Sequence, residues 1–105
     1  MEVKLKKIDR YITKGVQEMN KKNILMYLKL WDLYDEMDIS PKDYLQVFEL
    51  RAKVSMKGII QEIIHTQEQP EFSKTYKFFT DRPIEDKVYI IREDEYEIML
   101  LASEY

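Results

Sequence analysis

His65 is the only histidine of the chain, and Glu62, Glu68 and Glu71 lie within six residues of it. An imidazole titrates near neutral pH, so a histidine beside a carboxylate can act as a general base. A zinc site usually needs three or four His, Cys or carboxylate ligands, and the chain has neither a cysteine nor a second histidine. No metal site is therefore predicted. A small enzyme or ligand-binding protein centred on His65 and Glu68 is one hypothesis, which requires a pocket and a carboxylate within hydrogen-bonding distance.

Other catalytic patterns are absent from the sequence. The two glycines, Gly15 and Gly58, are too far apart to form a phosphate-binding loop, and none of the four serines has a GxSxG setting. We therefore predict no catalytic residue, no cofactor and a protein that is not an enzyme. No apolar run approaches the ~20 residues of a membrane span. Without cysteines, signal peptide or span, the expected location is the cytoplasm, with no membrane partner.

Charge is distributed unevenly along the chain. Residues 1–22 hold seven bases and three acids, whereas the C-terminal end is acidic and has no base after Arg92. A basic N-terminal arm could bind nucleic acid, as the alternative hypothesis of a nucleic-acid-associated protein requires. The sequence pI near 5.2 argues against a dedicated nucleic-acid binder, so this partner is not favoured. The residues that would make this contact are Lys4, Lys6, Lys7 and Arg10.

The elements that must position these groups are one helix and several strands. Residues 21–38 have the clearest helical periodicity, and Asn20 and Asn23 are candidate N-caps. The apolar side of this helix is rich in aromatic residues, which indicates that it packs on a core; it comprises Tyr27, Leu30, Trp31, Tyr34 and Met37. Alternating and β-branched segments predict strands at 9–18, 43–51, 59–67, 74–80, 86–92 and 96–102.

Two of these assignments depend on particular features. Residues 59–67 carry pairs of isoleucines four apart, which is helical spacing, but their β-branched content favours a strand. Residues 86–92 and 96–102 are expected to form a hairpin. The predicted fold class is α+β: one amphipathic helix packed on an antiparallel sheet of about five or six strands. Residues 1–105 are expected to form a single domain, in which 1–8 are a basic, partly flexible N-terminal extension.

Three segments resemble a known family: DYLQVFEL at 43–50, IIHTQEQPEFSKTY at 63–76 and MLLASEY at 99–105. In order and spacing they are similar to a family of small proteins of Firmicutes and their phages and mobile elements. That family is catalogued only as a domain of unknown function, number nine-sixty. The resemblance implies that His65, Gln67, Glu68 and Pro70 belong to a shared pattern. It implies no activity, because none is established for the family.

The function that the sequence favours is a non-enzymatic protein–protein interaction module. Eight tyrosines in 105 residues cannot all be fully buried with satisfied hydroxyls, and exposed tyrosines are enriched at protein interfaces. The chain could be an accessory protein of a phage or mobile element that acts on a host or phage protein. A homodimer through an edge strand is also possible. The predicted binding surface comprises His65, Gln67, Glu68, Tyr44 and Phe72.

Overall fold

Six strands and two helices make up the fold in the computed structural model, which describes residues 9–105. The expectation of a flexible extension at 1–8 lies outside the described residues. The α+β class and the expected five or six strands are confirmed, although there are two α-helices where one was predicted. In chain order the elements are β1 (Asp9–Ile12), α1 (Lys14–Asn20), α2 (Met26–Asp35), β2 (Leu45–Ser55), β3 (Gly58–Gln67), β4 (Phe72–Phe79), β5 (Asp86–Arg92) and β6 (Tyr96–Leu101), followed by a 3-10 turn at Ala102–Glu104.

The strands form one sheet in the order β1-β6-β5-β2-β3-β4. All neighbouring strands are antiparallel except β1 and β6, which are parallel, so the sheet is mixed rather than antiparallel throughout. The predicted hairpin of β5 and β6 is confirmed. β2 lies between β5 and β3, and β1 and β4 are the two edges.

The prediction of a strand over 9–18 is wrong beyond Ile12, because a helix begins at Lys14. Thr13 caps this helix: its Oγ1 accepts a hydrogen bond from the Val16 amide at 3.3 Å. Val16 and Met19, three residues apart, both point into the core. The composition of this segment is typical of a strand, but burial of Val16 and Met19 in the core favours a helix here.

The second helix, α2, is shorter than the predicted 21–38. Both candidate asparagines help its first turn, although neither occupies the cap position, which is Leu25. Asn20 Oδ1 accepts from the Tyr27 amide at 3.3 Å, and Asn23 Oδ1 accepts from the Leu25 amide at 3.4 Å. The apolar side of α2 packs on the core as predicted, with Leu30, Trp31 and Tyr34 buried.

β2 continues to Ser55, four residues beyond the predicted end of this strand at residue 51. The connection to β3 is a two-residue hairpin, Met56 and Lys57, and Gly58 follows with a positive φ of 142° that favours glycine. Residues 59–67 lie in β3, so the strand assignment for this ambiguous segment is confirmed. β4 begins two residues before its predicted start.

Side chains alternate between two sides of the sheet, which we call the inner face and the outer face. Both helices pack on the inner face, where the strands contribute a buried core of Phe48, Leu50, Ile63, Val88, Ile90 and Met99. The outer face carries the intervening residues, which are half-buried or exposed along β2 and β5. Within residues 9–105, the outer face receives no α-helix. This asymmetry places the candidate sites described below.

Candidate functional site

His65 lies on the inner face of β3 and is fully buried. Its ring stacks on Phe48 with centroids 4.1 Å apart, and the Phe72 ring meets it edge-on at 5.1 Å. Its Nε2 atom is 2.7 Å from Oε1 of Gln46, another fully buried residue. Of the five predicted binding residues, His65 therefore belongs to the packed interior, and Phe72, which is half-buried, packs against its ring.

His65, Gln46 and Gln67 form a buried chain of hydrogen bonds, and the bonds of the two glutamines to backbone groups define which atoms donate. Gln67 Nε2 donates to the Pro70 carbonyl at 2.8 Å, so Gln67 Oε1 faces Gln46 and the Asp43 amide. Gln46 Nε2 donates to Gln67 Oε1 at 2.6 Å and to the Asp43 carbonyl at 3.0 Å, which uses both of its protons. Gln46 Oε1 must then accept from His65. The network thus assigns the proton of the neutral imidazole to Nε2.

The remaining His65 nitrogen, Nδ1, is buried and has no hydrogen-bond partner within the described residues. Burial, with a smaller effect of the Lys42 charge, lowers the pKa of His65 from 6.5 to about 4. The imidazole is therefore neutral near pH 7. Neither ring nitrogen contacts a carboxylate in residues 9–105, so the base–carboxylate pair that the enzyme hypothesis requires is not formed there.

The glutamine network also holds two loops together at one end of the sheet. Gln67 binds the Asp43 amide at 2.9 Å, and Asp43 Oδ2 accepts from the Gln69 amide at 3.0 Å. These bonds join the residues before β2 to the turn between β3 and β4. Gln67, 4% exposed, is thus chiefly a structural residue, and it supports the surface beside it.

The two remaining predicted residues, Tyr44 and Glu68, are exposed at this same end. They line an open cavity of about 250 Å³. Its other lining residues are Asp43, Leu45, Val47, Thr66 and Gln67. The structure therefore places Tyr44 and Glu68 together at a concave surface, whereas His65 is fully buried on the inner face and Phe72 is half-buried beside it.

An apolar row that the sequence analysis missed crosses four strands of the outer face. The register aligns Tyr11 with Ile98, Ile98 with Ile91, and Ile91 with Leu45. We call these four residues the outer row. Tyr11 is 52% exposed, and the ring of Tyr96, 41% exposed, lies 6.0 Å from its ring. One sequence signal could have revealed this row. β5 and β6 carry apolar residues at consecutive positions, and because side chains alternate in a strand, such a run places apolar residues on both faces of the sheet.

The two halves of the outer face differ in character. Across β3, β4 and the end of β2 it carries ion pairs. Arg51 pairs with Glu49. Glu62 pairs with two lysines, Lys53 and Lys77. The lysines lower the pKa of Glu62. The half that contains the outer row instead has acidic residues at one end of the sheet. They lie at the start of β1, before β2, after β3 and in the β5–β6 turn. They are Asp9, Asp43, Glu68, Glu93 and Asp94.

Arg10, one of the four predicted nucleic-acid contacts, is engaged within the protein. Its Nε donates to Glu97 Oε1 at 2.9 Å, and its terminal nitrogens bind both oxygens of Asp35. The guanidinium carbon lies 4.6 Å from the centroid of the Trp31 ring, and Arg10 lowers the pKa of Asp35. The other three contacts, Lys4, Lys6 and Lys7, lie outside the described residues.

Glu97 is a buried carboxylate that joins β6 to α2. Besides Arg10, it accepts a 2.5 Å hydrogen bond from the Tyr34 hydroxyl, and burial together with this bond raises the pKa of Tyr34.

No group of three or more possible metal-ligating side chains occurs in the part of the chain that the structure describes. Nor does that part contain a helix with the length and hydropathy needed to cross a membrane.

The fold and these sites define a small α+β protein with helices on one face of a six-stranded mixed sheet and an apolar row on the other. The chain belongs to the family described as "Staphylococcal protein of unknown function (DUF960)", which matches residues 9–104. A crystal structure of a protein of unknown function from Enterococcus faecalis has the same fold, with a TM-score of 0.71 at 16% identity over 93% of this chain and 91% of that chain. No curated protein matches the chain.

Proposed function

We propose that this protein is a non-enzymatic interaction module that binds a partner protein on the outer row. The observation that carries the proposal is the apolar row Tyr11, Ile98, Ile91 and Leu45, which no described helix covers. Exposed tyrosines beside aliphatic residues are typical of the central part of protein interfaces. Tyr96 adds a second exposed ring next to Tyr11.

The size and charge of this surface favour one kind of occupant. We take the patch to span four strands, about 4.8 Å apart, and five residues along each strand, at about 3.3 Å per residue. Its area is then roughly 300 Å². A stable dimer interface buries about 800 Å² on each partner, so the patch is too small to hold a second copy by itself. Its acidic end, from Asp9 to Glu93, would also repel the same end of a second copy. The patch instead fits a short partner segment with apolar and basic residues.

The proposed setting of this binding is the cytoplasm, and the proposed partner is a host or phage protein bound by an accessory protein of a phage or mobile element. The absence of cysteine agrees with a reducing compartment but does not require it. Cell fractionation of the producing strain tests the location, and recovery of the protein in the membrane or extracellular fraction would contradict it.

The experiment compares two variants of the tagged, full-length protein in an affinity purification from lysate of the producing cell. Tyr11→Ala/Tyr96→Ala removes two exposed rings at the outer row. Ile24→Ala/Leu25→Ala removes two exposed apolar side chains near the start of α2, on the opposite side of the sheet. Half of each lysate is treated with nuclease. As a control, circular dichroism and thermal unfolding are measured for both variants, which are expected to keep the fold.

We expect wild type and the Ile24/Leu25 variant to recover the same protein stoichiometrically in both halves, and the Tyr11/Tyr96 variant to recover it at least about tenfold less. Equal recovery by the Tyr11/Tyr96 variant, or recovery of no protein by wild type, would overturn the proposal. Recovery that disappears with nuclease would favour the nucleic-acid alternative. A dimer in sedimentation that the Tyr11/Tyr96 substitutions dissociate would make a second copy the occupant, which also overturns the proposal of a distinct partner.

A further inference from the structure

The cavity beside Tyr44 combines apolar, aromatic and acidic side chains. Leu45 and Val47 provide apolar lining from the outer side of β2, Tyr44 provides an exposed aromatic ring, and Asp43 and Glu68 provide two carboxylates. Its volume of about 250 Å³ is below the roughly 300 Å³ at which small-molecule sites begin. The space therefore suits a single long side chain rather than a cofactor or a metabolite.

The chemistry of the lining selects a cationic side chain with an apolar stem. Methylene groups pack on aliphatic residues, and a guanidinium stacks on an aromatic ring while it donates hydrogen bonds to carboxylates. Glu68 has no cationic partner among residues 9–105. The nearest basic residue in sequence, Lys42, points to the other side, where its Nζ lies 4.4 Å from the centroid of the Tyr34 ring.

Asp43, which lines this cavity, is held in place by hydrogen bonds within the protein. The Asp43 amide donates to Gln67 Oε1, and Asp43 Oδ2 accepts from the Gln69 amide at 3.0 Å. Gln67 is in turn held by Gln46 and the Pro70 carbonyl. Because a preorganised site loses less conformational entropy on binding, this network gives the buried glutamines a role in recognition.

The chain already contains one example of the same combination. Arg10 lies between the carboxylates of Asp35 and Glu97, and its guanidinium carbon is 4.6 Å from the centroid of the Trp31 ring. Carboxylates and an aromatic ring therefore hold an arginine within this fold. The cavity at Tyr44 offers the same kinds of groups, two carboxylates and an aromatic ring, on the surface.

We propose that this cavity binds an arginine side chain of the partner segment, whose neighbouring apolar residues lie on the outer row. Leu45 belongs to both the cavity and the outer row, so one extended segment reaches both. This inference rests on the proposed function and adds the chemical class of the residue that is recognised. Lysine is expected to bind less well, because its ammonium group cannot stack on Tyr44 as a planar guanidinium does.

The test uses N-acetyl-arginine amide as the probe and its neutral isostere, N-acetyl-citrulline amide, as the matched ligand control. Two-dimensional amide NMR spectra of the full-length protein are recorded at low salt during titration to tens of millimolar. We expect the arginine compound to shift the amide signals of Leu45, Val47 and Thr66, with weak affinity typical of a single side chain. The citrulline compound should shift them at least about threefold less at equal concentration, because it lacks the charge.

Variants identify the groups that recognise the charge. Glu68→Gln should reduce the affinity for the arginine compound at least about threefold, whereas Glu85→Gln, an exposed glutamate at the other end of the sheet, should leave it unchanged. Tyr44→Leu should also weaken binding and reduce the preference for arginine over lysine amide. Equal shifts with arginine and citrulline, shifts located elsewhere, or no effect of Glu68→Gln would overturn the inference.

The two proposals fail in distinguishable ways. If the arginine compound does not bind at the cavity but the Tyr11/Tyr96 variant still loses its protein partner, the proposed interaction stands and the arginine site is wrong. If the arginine compound binds as expected but the Tyr11/Tyr96 variant retains its partner, the cavity is a binding site and the outer row is not the interface.

Discussion

Acidification from pH 7 to pH 5 should destabilise this protein through one residue, His65. The folded protein holds the pKa of this imidazole at about 4, whereas the unfolded chain has an ordinary value near 6.5. Between these values the unfolded state binds a proton that the folded state does not, so stability falls as pH falls. Linkage with these two pKa values gives a loss of about 2 kcal/mol between pH 7 and pH 5, and a limit of about 3 kcal/mol below pH 4.

The choice of pH window separates this effect from that of the carboxylates. Arg10 lowers the pKa of Asp35, and hydrogen bonds lower that of Glu104, so their stabilising contributions are lost as pH falls below the ordinary values of 3.8 and 4.5. His65 is the only histidine of the chain. Between pH 5 and pH 7 it is thus the side chain whose titration should dominate the stability.

The assay is urea unfolding followed by circular dichroism at half-unit intervals from pH 5 to pH 7.5, for wild type and for His65→Phe. The phenyl ring keeps the stacking on Phe48 and the edge contact with Phe72, but it cannot donate to Gln46. The variant should therefore be less stable at pH 7 by about 1–3 kcal/mol, because a buried amide oxygen loses its donor. Its unfolding free energy should be nearly independent of pH in this window.

Two results would refute this reasoning. A wild-type curve that is flat between pH 5 and pH 7 would mean that His65 titrates normally in the folded state, and that the imidazole is not held neutral. A variant that loses as much stability as wild type would mean that another group carries the pH dependence. A histidine NMR titration provides an independent check, since the C–H signals of His65 should not shift above about pH 5.

Two other predictions concern contacts that hold elements together. Gly15→Ala should lower the unfolding free energy by no more than about 1 kcal/mol in urea unfolding, because a Cβ there would lie 2.5 Å from Glu104 Oε1 and displace this flexible side chain from its hydrogen bonds to Thr13 and the Gly15 amide; Glu104→Ala in the same chain should remove most of the added cost, and additive effects would contradict the clash. Glu97→Gln should cost about 2 kcal/mol by the same assay, since it weakens charge-assisted bonds from Arg10 and Tyr34. Combining it with Tyr34→Phe should give less than the sum of the two single effects, and a full sum would show that the two side chains are not coupled.

Local patterns were sufficient where one side of an element faces a core. The apolar periodicity of α2 predicted a helix, and the β-branched content of β3 predicted a strand, because burial of a continuous apolar side stabilises each element in its own geometry. The resemblance of three segments also predicted the family, which the match over residues 9–104 confirms. Tyr44 and Glu68 are exposed, and their role in binding stays a prediction.

Tertiary context decided what local patterns left open. Residues 14–18 have strand-like composition, yet they form a helix because Thr13 caps it and the core accepts Val16 and Met19. His65 reads in the sequence as an available base, but burial against Phe48 and a hydrogen bond to Gln46 make it a neutral structural residue.

By itself, the sequence determined the α+β class and most of the strands, because these depend on composition and short-range periodicity. Only the tertiary structure decided which apolar residues remain uncovered. The outer row joins Tyr11, Leu45, Ile91 and Ile98 from four strands that are distant along the chain, and their alignment depends on strand order and register. Register depends on which face of each strand is buried and on the connecting turns, and strand order is a property of the whole sheet, so no single local pattern predicts this alignment.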